Sequence, residues 1–126
     1  MKDKVLEAIN GNIKKWKNIK RGKGADEGID CPLCQLFFTN DCRGCPIYEQ
    51  GGFPYCVATP WAKWSDHQRI YHDRMAGEGV GPLKILCSKC RSLAAEEIKF
   101  LKGVRKRYIK NKKDYEQILR LMTDTY

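Results

Sequence analysis

Seven cysteines are placed in this chain as three Cys-x-x-Cys pairs, Cys31/Cys34, Cys42/Cys45 and Cys87/Cys90, with Cys56 alone between the second and third. A two-residue spacer lets both thiolates of a knuckle point at one ion about 2.3 Å away, and paired knuckles build tetrahedral zinc sites. With one histidine, His67 or His72, the sulfurs make eight ligands, enough for two Zn2+ ions. Two partitions satisfy that count. In the first, Cys31, Cys34, Cys42 and Cys45 share one ion, and Cys56, Cys87, Cys90 and a histidine hold the other. In the second, Cys31 and Cys34 pair with Cys87 and Cys90, while Cys42, Cys45, Cys56 and a histidine form a local site. Spacing alone permits both.

Other sulfur chemistry is weighed against this. A 4Fe-4S cluster also takes four thiolates, and Cys31-Pro32 and Cys45-Pro46 echo the Cys-Pro that ends ferredoxin motifs, although the spacing matches neither ferredoxin run. A thiol redox pair wants its Cys-x-x-Cys between a strand and a helix of a βαβ unit, and no such alternation is visible. Disulfides are disfavoured by the odd count of seven cysteines and by residues 1–20, which lack the apolar run of a secretory leader. The expectation is a cytoplasmic protein, and no segment has the roughly 18 apolar residues of a membrane span.

Charge is unevenly spread. The formal total is +9, yet residues 99–113 carry eight cations and no acid, while residues 1–24 carry eight cations against Asp3 and Glu7. Lys14, Lys15, Lys17, Lys20 and Arg21 in the first block, and Lys99, Lys102, Arg105, Lys106, Lys110 and Lys113 in the second, are candidates for binding a polyanion. A solvated helix face normally mixes signs, so nucleic acid is the expected partner, with an acidic protein next. A basic amphipathic helix can also lie on an anionic membrane, but here the apolar residues are needed to close the domain.

The elements that must position these groups follow from periodicity. Val5, Ile9, Ile13 and Trp16, with Leu6 and Ile19 beside them, form the stripe of an amphipathic helix over residues 1–20, weakened by about 1 kcal/mol at Gly11. Arg21 to Asp30 reads as a polar glycine-rich linker. Residues 31–90 show poor periodicity, so a metal rather than a hydrophobic core is expected to organise them, with Tyr55, Trp61, Trp64 and Tyr71 packing around the sites and Leu36 to Phe38 as an apolar plug. Ser92 is a candidate cap for a second helix, with Glu96 and Glu97 in its first turns and Ala94, Ile98, Leu101, Val104 and Tyr108 as its stripe. A break near Asn111 and a short final helix through Tyr115, Ile118, Leu119 and Met122 complete a basic helical region, residues 92–122. The expected fold is a single mainly α domain, residues 1–126, stapled by metal, with N- and C-terminal helices packed on an irregular Cys-rich zinc-knuckle centre.

Two resemblances bear on function. IKKW at 13–16, CPLC at 31–34, CRGCPIYEQGG at 42–52, Tyr55-Cys56, ATPW at 58–61 and the run from Cys90 to Leu101 resemble a group of short cysteine-rich phage and prophage proteins. That resemblance implies a phage or mobile-element setting, host cytoplasm, and a metal knuckle, but no activity. A Cys-x-x-Cys knuckle, then Asp66-His67, then LCSKC at 86–90 is similar in order to phage recombination endonucleases of the histidine-metal finger type. The similarity implies a structural zinc on two knuckles and catalysis by Asp66 and His67, as magnesium ligand and base. The chain departs from that family at Arg91, where an asparagine follows the last cysteine, and at Leu83-Lys84, where the family has Arg-Gly. The expected function is therefore a zinc-binding, nucleic-acid-associated accessory protein. An iron-sulfur protein, a metal-dependent nuclease and a small phage factor bound to an acidic host protein are the alternatives.

Overall fold

A computed structural model describes residues 3–22, 31–37, 42–52, 59–71 and 87–124, with side chains to residue 121. Its elements are α1 (Lys4–Lys20), α2 (Pro32–Phe37), α3 (Pro46–Gly51), α4 (Pro60–Tyr71) and α5 (Ser88–Asp124). The described residues are mainly helical and contain no strand. No helix among them is long and apolar enough to cross a membrane.

Helix α1 begins where Asp3 accepts the amides of Val5 and Leu6 at 3.0 and 3.1 Å. Glu7 in its first turn and Lys17 and Lys20 in its last complement the helix dipole. The expected stripe is the buried one, Ile9, Ile13, Trp16 and Ile19, joined by Ala8 and by a polar residue, Asn12.

Three helices in the centre, rather than an irregular coil, replace the expectation for residues 31–90. Each starts with proline at its first position: Pro32, Pro46 and Pro60. A first-turn N–H has no helical acceptor and proline's fixed φ suits a helix start, so proline there opens a helix instead of breaking one. The most buried apolar residue of this segment is Leu33, 1% exposed; of the expected plug at 36–38, Phe37 packs against the core while Leu36 is 43% exposed. Phe38 lies outside the described residues.

Helix α5 differs from expectation at both its start and its middle. Arg91 N–H bonds the Cys87 carbonyl at 3.2 Å, so the helix starts at Ser88 and the Cys87/Cys90 knuckle is its first turn. Glu97 thereby falls in the interior of the helix and is buried, not in a solvated first turn. Nor does the helix break at Asn111. Nothing from Val104 to Asp124 is glycine or proline, and asparagine costs a helix only a fraction of 1 kcal/mol. Over 37 residues α5 is one rod, about 55 Å long.

Helix α1 packs antiparallel along α5. Asp3 meets Tyr108 and Lys112 while Asn10 meets Arg105, so advancing along one helix retreats along the other. Buried Leu93, Ala94, Ile98, Leu101 and Val104 line α5. Trp16 and Trp64 meet edge to face, with ring centroids 5.2 Å apart at 88°, and bring α4 against the pair. Helix α3 docks on α5 through Gln50, which donates to the Val104 carbonyl at 3.1 Å and accepts from Arg107 at 2.6 Å.

Candidate metal centre

His67 lies three residues beyond buried Trp64 on α4, and Cys87 and Cys90 bound the first turn of α5. The α4–α5 packing brings the three together. Their donor atoms lie within 4.8 Å of one another, and the group can hold a metal ion. The His67 Nε2 to Cys87 Sγ distance is 3.1 Å and the Cys87 to Cys90 Sγ distance is 3.4 Å. A zinc tetrahedron with ordinary bond lengths has N···S and S···S edges of about 3.6 and 3.8 Å. Those two edges would open by a few tenths of an ångström to admit an ion.

The surroundings orient these side chains. Cys90 N–H points at Cys87 Sγ at 3.4 Å, the amide-to-sulfur contact of a knuckle turn. Buried Gln68 donates its Nε2 to Cys90 Sγ at 3.2 Å. The Tyr71 ring lies 5.0 Å from the His67 ring at 36°, although Tyr71 is itself exposed. Burial pushes the Cys90 thiol up from its ordinary value, and the Gln68 amide opposes that shift. A cation here would compensate the buried thiolate, which the protein alone does only in part.

The Cys31/Cys34 knuckle repeats this plan, whereas Cys42/Cys45 forms a turn that ends where α3 begins. Cys31 directly precedes α2 and gives its carbonyl to Gln35 N–H at 3.0 Å; Cys45 precedes α3 and does the same for Glu49 at 2.9 Å. Cys34 N–H approaches Cys31 Sγ at 3.4 Å. Asn12 clamps this knuckle to α1, its Nδ2 donating to Cys31 Sγ at 3.3 Å and its Oδ1 accepting from Leu33 N–H at 3.2 Å. A hydrogen bond from the Cys34 side chain, aided by the Cys34 amide, Asn12 and the charge of Lys15, holds the Cys31 thiol at about 6 despite its burial.

Between Cys42 and Cys45 the chain turns tightly, with Cys42 at φ 65 and Gly44 at φ 90. Cys45 N–H bonds the Cys42 carbonyl at 3.0 Å. Burial raises the Cys45 thiol, and the charges of Cys42 and Cys31 add to the rise. No disulfide joins the six described cysteines. Among the described residues, His67 with Cys87 and Cys90 is the one group of three gathered as closely as 4.8 Å. Cys56 and His72, and with them Tyr55, lie outside the described residues.

The candidate nuclease pair separates. Asp66 is exposed and faces Arg69 at 3.8 Å, whereas His67 turns to Cys87. The basic residues also divide. Arg105 donates to Asn10 at 2.9 Å and Lys15 sits over the Trp16 ring at 5.9 Å. Lys99, Lys102, Lys106, Lys110 and Lys113 are exposed, as are Lys14, Lys17, Lys20 and Arg21.

Asn12 and Gln68 were not singled out from sequence. Each is a polar side chain on the apolar face of its helix, Asn12 between Ile9 and Ile13 and Gln68 one turn after Trp64. Such a residue must find a buried partner, and that is the signal by which both can be found. No protein-family model, curated protein or solved structure matches this chain.

Proposed function

We propose that the chain is a zinc-stapled accessory protein of phage or mobile-element type that binds nucleic acid along α5. The observation that carries the binding is the line Lys99, Lys102, Lys106, Lys110 and Lys113, spaced by three or four residues and exposed on one helix over about 21 Å. Spacing of this kind keeps the cations on one face. No hydrogen bond or ion pair within the described residues engages them, in contrast to Arg105, Arg107 and Lys112.

The metal reading is supported by His67, Cys87 and Cys90, a mixed nitrogen and sulfur donor set of the kind zinc takes. It favours the partition in which Cys31, Cys34, Cys42 and Cys45 share one ion and Cys56 joins the second site. The orientation of His67 towards Cys87 favours a ligand role over that of a nuclease base.

Metal analysis of anaerobically purified protein tests the first half: two zinc ions per chain are expected, and iron with sulfide would replace the reading with a cluster protein. Binding to duplex DNA and RNA over a salt series tests the second half. Five phosphate contacts give a log–log slope of about −4 to −5. Absence of binding at low salt would assign the basic face to an acidic protein.

A further inference from the structure

The basic face of α5 has a gap in it. Position 103 lies one turn from Lys99 and Lys106 and two turns from Lys110 on the same face, and there the chain carries glycine. Arg107, one turn further on, fills the space. A Cβ at Gly103 would meet its Nη1 at 3.4 Å, Nη2 at 3.5 Å and Cζ at 3.8 Å. Three such similar distances lay the guanidinium flat over the helix, one face down and the other outward. Gln50 of α3 holds it there, accepting from Nε at 2.6 Å, while the side chain as a whole stays exposed. Beside it a cleft of about 370 Å3 opens between α3 and α5, with Phe100 and Asn111 on the α5 side and Glu49 and Gln50 on the α3 side.

Resting on the reading of this face as the nucleic-acid surface, we propose that its ligand is a single strand, one base of which stacks on the outer face of the Arg107 guanidinium with its edge in the α3–α5 cleft. A planar cation offers a base a surface to stack on, whereas the lysines around it offer charge alone. The internal bases of a duplex have no free face to stack, so a duplex could use only the charge. The cleft suits a base edge better than a backbone. Glu49, which accepts from Gly44 N–H at 3.0 Å, lines it with a carboxylate that takes a base amino group and repels a phosphate. Asn111 adds an amide that both donates and accepts. Phosphates therefore keep to the lysine row, and the base turns towards α3.

Fluorescence anisotropy of the metal-loaded full chain at low salt tests this, with a ~20-nucleotide single strand and with the duplex it forms with its complement. The native chain is expected to bind the single strand more tightly, despite the higher charge density of the duplex. Arg107→Lys keeps the charge and loses the plane: single-strand affinity should fall roughly tenfold and duplex affinity stay within about twofold. Gly103→Ala removes the seat and leaves the charge, so single-strand affinity should fall several-fold while the urea midpoint does not drop. A native chain that prefers the duplex, equal losses on both probes, or single-strand affinity unchanged in either variant would overturn the stacking site and leave the basic face as a phosphate surface. Failure of the native chain to bind either probe would overturn it together with the reading it rests on.

Discussion

Two glycines sit inside helices, Gly11 in α1 and Gly103 in α5, and replacing each with alanine should act in opposite directions. On propensity alone both substitutions stabilise by about 1 kcal/mol. Space separates them. A Cβ at Gly11 would lie 2.9 Å from Pro32 Cγ and 3.4 Å from Pro32 Cβ, whereas one at Gly103 first meets the Arg107 guanidinium at 3.4 Å. That guanidinium ends a flexible side chain and can give way. The Pro32 ring cannot swing aside, so relief at Gly11 means moving α2, and overpacking of this kind costs roughly 1–3 kcal/mol. Gly103→Ala should therefore gain up to about 1 kcal/mol and Gly11→Ala lose about 1 kcal/mol, or roughly 3–5 °C in Tm in each direction for a chain of this size. Urea unfolding of the metal-loaded protein at 25 °C, followed by helix circular dichroism, reads both. Because Pro32 adjoins Cys31, whose sulfur rests on Asn12, Gly11→Ala should also release metal to a competing chelator several-fold more readily. If Gly11→Ala raises the urea midpoint as Gly103→Ala does, α2 does not close on α1 at Gly11 and the account of the Cys31 knuckle fails.

Asn12→Ala and Gln68→Ala should each weaken metal binding by about 10–100-fold, since each removes a donor that orients a ligand sulfur; competition with a colorimetric chelator measures it, and unchanged affinity in both would refute that role. Chelation of the native protein should melt α2 and α3 while leaving much of the α1–α5 pair, seen as a partial loss of helix signal; an unchanged spectrum would refute the coupling. Asp3 is held at about 2, first by the Lys112 side chain, below its ordinary carboxylate value. A lowered folded-state value stabilises above the unfolded value and is lost as pH falls through the folded one. With its partner Lys112 half exposed, the Asp3 charge contributes about 1 kcal/mol at neutral pH. The gap in urea midpoint between wild type and Asp3→Asn should hold from pH 8 to about 5 and close between about 4 and 2; a gap that widens in acid contradicts it.

The parts of the fold that could be read in the sequence are those that repeat at helical spacing. Ile9, Ile13, Trp16 and Ile19 announce α1, and Ala94, Ile98, Leu101 and Val104 announce the buried face of α5, because burial against a neighbouring helix enforces that period. The centre resisted the same reading because α2 and α3 are only six residues long, too short to show a period. Their signal was the proline after Cys31 and Cys45, which also suits a metal-binding run, so one residue carried two meanings. The Cys87/Cys90 knuckle likewise concealed a helix start, and the missing four residues moved Glu97 from a solvated turn to the interior. Knuckle spacing pairs Cys87 with Cys90, yet the approach of His67 to both depends on how α4 lies against α5, which no local pattern encodes.

Cys31, Cys45 and Cys87 each stand immediately before a helix and give their carbonyl to its first intrahelical bond. Starting a helix is the unfavourable step, because several dihedrals are fixed for a single hydrogen bond, and a six-residue helix has too few later bonds to recover that cost in water. At Cys31/Cys34 and Cys87/Cys90, whose second cysteine lies in the first turn, an ion gathering both sulfurs would fix the dihedrals that turn needs. With metal bound there, coordination and helix nucleation would be one event, and the supply of metal would set how fast these helices start as well as how firmly they hold.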